Sequence, residues 1–224
     1  MGIRIHPSLL AADFANLESE LAKISSADAV HVDVMDGHFV ENLTFGRGMV
    51  KRISEVSPVP LDVHLMIDRV NEEAPKYAEL GVDSVTFHVE STRDVAQVMG
   101  DIKSNGSSVG MAFRPSTQID GYKSFIATAD LLLVMTVEPG AGGQEFLPET
   151  MLKLQELRHF VEVEGASPLI QVDGGITPST IKEAFANGAN TFVAGTSIFG
   201  GGIPAENIEK LRQSVDYQGG KNWT

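Results

Sequence analysis

The segment VHVDVM, residues 30–35, decides the fold because every second residue along it is a valine. Residues two apart on a strand share a face, so His31, Asp33 and Met35 lie on one side and three valines on the other. The valine side requires a layer of helices to cover it. The other side, which bears a histidine and a carboxylate, would then face the interior of a closed barrel.

Seven further short apolar segments recur along the chain, and longer amphipathic stretches such as 14–24 and 148–163 separate them. The predicted strands are 3–9, 30–35, 61–66, 84–89, 109–113, 131–137, 169–172 and 191–195. A doubly wound open sheet has fewer strands at this length. We therefore predict an α/β fold, a (β/α)8 TIM barrel with eight parallel strands and outer helices. Residues 1–217 would form this single domain, and 218–224 a polar C-terminal tail.

One junction is repeated before four of the predicted strands, where a small residue is followed by Asp or Asn. The four copies are Ala27-Asp28, Val82-Asp83, Ala129-Asp130 and Ala189-Asn190. We interpret them as one helix-to-strand loop used four times; the alternative is coincidence of common turn chemistry. Elsewhere, Thr177 and Pro178 predict the N-cap and the first turn of a helix over 179–186.

Composition excludes several classes of protein. The 17 basic and 30 acidic residues give a net charge of −13, which disfavours a nucleic-acid partner. The absence of cysteine excludes disulfides and a thiol nucleophile. The longest apolar run, 131–135, is far shorter than a membrane span, so we expect no membrane partner. The first ten residues lack the pattern of a signal peptide, so we expect a soluble, cytoplasmic protein.

Four side chains of the metal-ligand type fall on the inward faces of the predicted barrel. His31 and Asp33 come from the second strand, His64 from the third, and Asp173 directly follows the seventh. A buried carboxylate is costly unless it is paired or bound to a metal. Two histidines and two aspartates suit a divalent cation that prefers nitrogen and oxygen ligands. A hydrogen-bonded ion-pair network without metal is the alternative.

Two further groups of residues converge on the same end of the barrel. The methionines predicted to form an apolar wall, rather than ordinary core, are Met35, Met66 and Met135. Glycine-bearing segments follow the last three strands, at 139–144, 174–177 and 195–197. Glycines allow backbone N–H groups to approach an anion, and barrels often bind phosphate after strands seven and eight. We predict a phosphate site that uses the backbone rather than a Lys or Arg side chain.

These motifs closely resemble the ribulose-phosphate 3-epimerase family, and they occur in the family's order between Ser8 and Gly195. The matching strings are PSLL at 7–10, HVDVMDGHFV at 31–40, DVHLM at 62–66, MTVEPG at 135–140, GGQ at 142–144 and VDGGI at 172–176. The resemblance implies a metal-dependent epimerase that converts D-ribulose 5-phosphate to D-xylulose 5-phosphate. The implied reaction inverts C3 by proton transfer between two aspartates through an enediolate.

The resemblance also implies roles for individual residues. Asp33 and Asp173 would be the acid–base pair. One divalent metal ion, with Zn²⁺ or Fe²⁺ leading and Mn²⁺ or Co²⁺ as further candidates, would bind His31, Asp33, His64 and Asp173. The implied substrate and phosphate contacts are Ser8, His64, Gly140, Ala141, Gly142, Gly143, Gly174, Gly175, Gly195 and Thr196. Family likeness also implies a homo-oligomer.

The chain departs from the family pattern at a few positions, among them Glu41, Ser116 and Thr196. The most consequential departure is Ala141, which stands where the family usually has phenylalanine. The extra room keeps open a 3-epimerase of a six-carbon ketose phosphate such as D-allulose 6-phosphate. A barrel that only binds a sugar phosphate, without catalysis, is a third hypothesis.

Three further polar residues near the expected site are interpreted as supporting rather than catalytic. His88 is expected to be a hydrogen-bonded core residue or a contact behind the ligands, and Asp36 a structural carboxylate. Asp62 is expected to lie deeper than His64, in the polar interior of the barrel.

Overall fold

The computed structural model describes residues 2–215, and within them eight parallel strands alternate with helices. The strands are β1 (Arg4–Pro7), β2 (Val30–Met35), β3 (Leu61–Met66), β4 (Ser84–His88), β5 (Ser108–Phe113), β6 (Leu131–Met135), β7 (Leu169–Asp173) and β8 (Thr191–Ala194). The α-helices are α1 (Leu17–Ala22), α2 (Arg47–Val56), α3 (Val70–Ala78), α4 (Val95–Ser104), α5 (Lys123–Ile126), α6 (Thr150–Val163), α7 (Thr180–Ala186), α8 (Thr196–Phe199) and α9 (Pro204–Ser214). Short 3₁₀ helices cover Leu9–Ala11, Phe14–Asn16, Val89–Ser91 and Asp120–Tyr122.

The predicted (β/α)8 TIM barrel is therefore confirmed as the architecture of the described part of the chain. The predicted tail at 218–224 lies outside the described residues. Among the helices within 2–215, none has the length and hydrophobicity needed to cross a membrane.

The strands follow the order β1-β8-β7-β6-β5-β4-β3-β2, and each neighbouring pair in that order shares a parallel ladder. β1 and β2 meet at the seam of the barrel, where a single parallel bridge joins Ser8 to His31. The barrel is thus nearly closed. Its seam passes beside one of the predicted metal ligands.

The main hydrophobic core lies between the outer face of the strands and the surrounding helices. Val30, Val32 and Val34 of β2 are buried there, and Leu21 of α1 and Ile53 of α2 belong to the same apolar cluster. Full burial of such a side chain stabilises the fold by about 1.5–3 kcal/mol. The helical cover predicted for the valine face is confirmed.

The inside of the barrel is apolar on one side and polar on the other. Ala112 of β5 and Leu131, Leu133 and Met135 of β6 form a small apolar cluster. The remaining strands, together with Ser8 directly after β1, contribute buried polar side chains, among them His6, Ser8, His31, Asp33, Asp62, His64, Thr86, His88, Gln171 and Thr191. The polar groups therefore face one another and the apolar cluster of β5 and β6, away from bulk water.

The four repeated junctions lie at the amino-terminal end of the barrel and form the same contact each time. In each copy the Asp or Asn before an even-numbered strand accepts the backbone N–H of a residue near the start of the preceding odd-numbered strand. The pairs are Asp28 with Ile5 at 2.8 Å, Asp83 with Leu61 at 2.9 Å, Asp130 with Val109 at 2.9 Å and Asn190 with Ile170 at 3.0 Å. The prediction of one loop used four times is confirmed.

Several predicted element boundaries are wrong by a few residues, for local reasons. β1 stops at Pro7 because Ser8 caps a 3₁₀ turn and accepts the N–H of Leu10. The amphipathic stretch 14–24 is divided into a 3₁₀ turn and α1. α7 begins at Thr180, one residue later than predicted, so its N-cap is Ser179 rather than the predicted Thr177, although the hydroxyl of Thr177 accepts the Thr180 N–H.

Candidate active site

A cavity of about 330 Å³ opens at the carboxyl-terminal end of the strands. Asp33 and Asp173 line it, and His31 and His64 are fully buried behind its wall. The other predicted site residues in its lining are Ser8, Met35, Met66, Met135, Gly140, Ala141, Gly142, Gly143, Gly174, Gly175, Gly195 and Thr196. The structure therefore brings the predicted residues of three separate groups to one place.

The two histidines and two aspartates each point one ligand atom at a common centre. His31 Nε2 lies 3.4 Å from Asp33 Oδ1 and 3.3 Å from His64 Nδ1. Asp33 Oδ1 and His64 Nδ1 are themselves 3.3 Å apart. Asp173 Oδ2 is 3.8 Å from His31 Nε2 and 3.7 Å from His64 Nδ1. Ligands placed about 2.1 Å from a tetrahedral ion would be about 3.4 Å apart. The donor set therefore fits a cation in both composition and spacing.

Hydrogen bonds on the far side of His31 support this fit. Its Nδ1 lies 2.9 Å from Asp62 Oδ2, and an ionised carboxylate only accepts, so Nδ1 carries the proton. Metal binding requires neutral His31, and in that form the Nε2 lone pair is directed at Asp33, Asp173 and His64. Asp62 is buried below this layer and also accepts from His6 and Gln171, as the predicted deep polar position requires.

The two cavity carboxyl groups differ in electrostatic environment. Burial alone would raise the pKa of Asp33, but His31 and His64 lower that pKa well below its usual range. Burial, and then the negative charge of Asp33, raises the pKa of Asp173 to about 7. Burial alone would lower the pKa of His31, but Asp33 and Asp62 raise it well above its usual range. In the metal-free site, Asp33 therefore favours the ionised form and Asp173 the protonated form, which is the pattern of a base beside an acid.

The contacts of the two carboxyl groups also differ. Asp33 Oδ2 accepts a 2.6 Å hydrogen bond from the hydroxyl of Ser8, across the seam of the barrel. Within residues 2–215, the side chain of Asp173 accepts no hydrogen bond; its Oδ2 lies 3.8 Å from His31 Nε2 and 3.7 Å from His64 Nδ1. The oxygens of Asp173 are therefore free to contact a ligand.

The loops predicted to bind an anion contain glycines that no other residue could replace without strain. Gly174 and Gly175 have φ angles of +118° and +64°, which L side chains rarely adopt. A Cβ on Gly175 would lie 2.6 Å from the backbone nitrogen of Phe146. The lining drawn from the described residues contains no Lys or Arg, so backbone N–H groups are its available donors for a phosphate.

At the rim of the cavity, the loop after β2 contacts the loop after β6. Asn42 donates a 2.6 Å hydrogen bond to the carbonyl of Gly140, and a Cβ on Gly140 would lie 2.9 Å from Val40. Ala141 is exposed at this rim and has no aromatic ring to cover the opening. The neighbouring departure, Glu41, is also exposed.

The supporting polar residues lie where the sequence predicts them. Asp36 accepts the backbone N–H groups of His38, Phe39 and Asp68, and so has a structural role in its loop. His88 is fully buried, with Nε2 only 3.0 Å from Nε2 of His64.

Sequence reasoning missed the contacts that two residues make near the site. His6 is buried and hydrogen-bonded to Asp62, and Glu90 contacts His88. Neither residue had a usable local signal, because His6 contacts Asp62 across the barrel interior and Glu90 lies beyond the last residue of β4.

Comparison with known proteins identifies the family. The model of the ribulose-phosphate 3 epimerase family matches residues 4–199. The chain belongs to the ribulose-phosphate 3-epimerase family. This epimerase is 44% identical over 213 residues to the ribulose-phosphate 3-epimerase of Mycobacterium leprae, and the match covers 95% of each chain. It is 39% identical over 214 residues to the ribulose-phosphate 3-epimerase of Escherichia coli, which covers 94% of this chain and 95% of that one.

The predicted resemblance is thereby confirmed, and the chain is an enzyme of this epimerase family. Among solved structures, 3-hexulose-6-phosphate synthase from Salmonella typhimurium is similar with a TM-score of 0.70 at 18% identity, over 95% of this chain and 98% of that one. At that identity the likeness shows the barrel fold alone.

Proposed function

We propose that this enzyme interconverts D-ribulose 5-phosphate and D-xylulose 5-phosphate with one divalent cation bound. The observation that carries the proposal is the meeting of Asp33 and Asp173 in one cavity, beside the buried imidazoles of His31 and His64. Inverting C3 means removing its proton from one face and returning a proton to the other. A single fixed base cannot serve both faces, and these two carboxyl groups come from opposite sides of the seam.

In the proposed reaction, the ionised carboxylate removes the proton beside the ketone, and the protonated carboxyl group supplies one to the opposite face of the enediolate. The two aspartates exchange these roles when the direction of the reaction reverses. Ser8 fixes the orientation of Asp33 through its short hydrogen bond. General acid–base catalysis of this kind contributes about 10²–10⁴-fold to the rate.

The ligand set proposed for the cation is His31, Asp33, His64 and Asp173, whose donor atoms lie within 4.8 Å of one another. A bound divalent cation supplies positive charge that stabilises the developing oxyanion. Zn²⁺ or Fe²⁺ is proposed first, and Mn²⁺ or Co²⁺ also suits His and Asp ligands. The methionines of the apolar wall are buried and keep water away from the carboxyl groups, which strengthens these electrostatic interactions.

We assign the phosphate to the glycine loops that follow β6, β7 and β8. Backbone N–H groups near Gly143, Gly175 and Thr196 would hold it, since these residues line the cavity above Asp173. An anchored phosphate restricts the motion of the substrate and keeps C3 between the two carboxyl groups.

Solvent exchange tests the proposal directly. Metal-loaded enzyme incubated with D-ribulose 5-phosphate in deuterated water should place deuterium at C3 and produce D-xylulose 5-phosphate, both visible by NMR. Chelation should stop the reaction, and Zn²⁺ or Fe²⁺ should restore it, with elemental analysis to verify metal removal. Absence of exchange at C3 from metal-loaded, folded enzyme would refute the proposal.

A six-carbon ketose phosphate is the second candidate substrate, because Ala141 leaves the rim of the cavity open. Comparing kcat/KM for D-ribulose 5-phosphate and D-allulose 6-phosphate distinguishes the two. An Ala141→Phe variant should shift the ratio towards the pentulose. A homo-oligomeric state and a cytoplasmic location stay predictions of the family likeness and the sequence.

A further inference from the structure

The two ring nitrogens of His64 have different surroundings. Nδ1 faces the carboxylates of Asp33 and Asp173, whereas Nε2 lies 3.0 Å from Nε2 of His88. On the far side of the second ring, His88 Nδ1 is 3.1 Å from Glu90 Oε2. Both rings are fully buried, so neither can exchange these partners for water.

The positions of the protons along this chain follow from its carboxylate end. Although burial alone would raise the pKa of Glu90, contacts with His88 and Arg114 help lower it to about 2, so the side chain is ionised and only accepts. His88 must then carry its proton on Nδ1 and keep a lone pair on Nε2. That lone pair accepts from His64 only if the His64 proton is on Nε2. The Nδ1 lone pair of His64 is thereby left for a cation.

We propose that Glu90, acting through His88, is a positioning residue that fixes the tautomer and ring orientation of His64 for metal binding. The proposal rests on the metal site of the proposed function. Two other contacts fix this arm in place. Glu90 Oε1 accepts the backbone N–H of Arg114 at 2.9 Å, and the ring of Phe39 packs on His88 at a centroid distance of 4.9 Å. His31 needs no such relay, because Asp62 contacts it directly.

A Glu90→Gln variant breaks this order of protons with little change in shape. If the amide oxygen keeps the Arg114 N–H, the amide NH₂ faces His88 and forces its proton to Nε2. That proton then faces His64 and drives the His64 proton to Nδ1, the position that the cation needs. If the amide turns over, the Arg114 contact is lost and the carboxylate charge is still missing. Either arrangement should weaken metal binding.

The test is the Zn²⁺ dissociation constant, measured by competition with a chromophoric chelator. Glu90→Gln should raise it by about 10–100-fold, as is typical for residues that support metal ligands. Asp83→Asn is the matched control, because that carboxylate also accepts a backbone N–H but contacts no metal ligand. Its Zn²⁺ affinity should stay within about twofold of the wild-type value. Thermal unfolding of the metal-free proteins checks that both variants fold.

Equal Zn²⁺ affinity in wild type and Glu90→Gln would overturn the inference but leave the proposed function standing. Failure of the wild type itself to bind Zn²⁺, Fe²⁺, Mn²⁺ or Co²⁺ would instead remove the metal site and the inference together. Long-range ¹H–¹⁵N spectra of the Zn²⁺-loaded wild type give a second measurement that needs no variant. They should show His88 protonated on Nδ1, and a proton on Nε2 of His88 would contradict the proposal.

Discussion

Aspartates occupy both ends of this barrel, but their oxygens contact different partners. At the amino-terminal end, Asp28, Asp83 and Asp130 each accept a backbone N–H at 2.8–2.9 Å. At the carboxyl-terminal end, Asp33 and Asp173 face each other and two buried imidazoles. The first group connects strands; the second brings ionisable groups together, where burial and mutual charge shift their pKa values. Residue type alone therefore does not separate structure from chemistry, whereas the partner of each oxygen does.

The largest expected effect comes from the same substitution at the two ends. Asp33→Asn should lower kcat by about 10³-fold or more, because it removes a proton-transfer group and a proposed metal ligand. Asp83→Asn should leave kcat within about twofold, because its amide oxygen can still accept the Leu61 N–H. Steady-state kinetics on the two purified variants checks this contrast. Comparable losses in both would erase the distinction between the ends.

The second prediction concerns the pH dependence of stability at the catalytic end. Burial lowers the pKa of His88 to about 4, below the usual 6.5. The unfolded chain therefore binds a proton that the folded chain does not, and the His88 contribution to stability increases from pH 4 to 6.5. This contribution amounts to roughly 3 kcal/mol and is fully present above pH 6.5.

The measurement is the unfolding free energy of metal-free wild type minus that of His88→Gln, from urea titrations between pH 4 and 7. The difference should increase with pH across this window. His159→Gln provides the baseline for replacing an exposed histidine by glutamine. A wild-type minus His88→Gln difference that falls with rising pH would contradict the assigned burial of a neutral His88.

The third comparison uses glycines of positive φ at the two ends. Gly175 has a φ of +64° and no room for a Cβ, whereas Gly81, before β4, has a φ of +75° and nothing within 4 Å. Gly175→Ala should displace the loop around Phe146 and raise KM for the sugar phosphate about tenfold. Gly81→Ala should cost about 1 kcal/mol of stability through backbone strain alone and leave KM unchanged. Kinetics and thermal unfolding of both variants separate these outcomes.

The smallest effect is expected from removing one of the four junction hydrogen bonds at the amino-terminal end. Asp130→Ala deletes the acceptor of the Val109 N–H and should lower the free energy of unfolding by about 1 kcal/mol. Activity should be unaffected, because the junction is at the end of the barrel remote from the cavity. A drop in kcat with wild-type stability would show that the two ends are coupled.

Much of this architecture follows from side-chain alternation, because two-residue periodicity in segments such as 30–35 assigns each side chain to a face. The repeated Asp and Asn junctions were readable for the same reason: a small residue before a carboxylate is a local pattern. The cluster of His31, Asp33, His64 and Asp173 was predictable as a group, since parallel strands place their carboxyl ends at one edge. Their separations are a product of barrel closure, which no local pattern encodes.

The parts that sequence reasoning missed depend on contacts between distant segments. Ser8 ends β1 early because its hydroxyl is shared between Leu10 and Asp33, one contact local and the other 25 residues away. His6 gave no signal of its own, because its role depends on reaching Asp62 across the interior. Glu90 lies just beyond the end of β4, where strand periodicity no longer applies.

The seam between β1 and β2 gives the proposed ion a mechanical role. The two strands share no ladder. They meet through the bridge between Ser8 and His31, and at the other end Asp28 accepts the Ile5 N–H. β7 lies on one side of this join, whereas β2 and β3 lie on the other. An ion bound by residues of all three strands would cross-link the barrel across its seam. Binding of the ion would therefore raise the free energy of unfolding, and the increase would be larger for an ion with a lower dissociation constant.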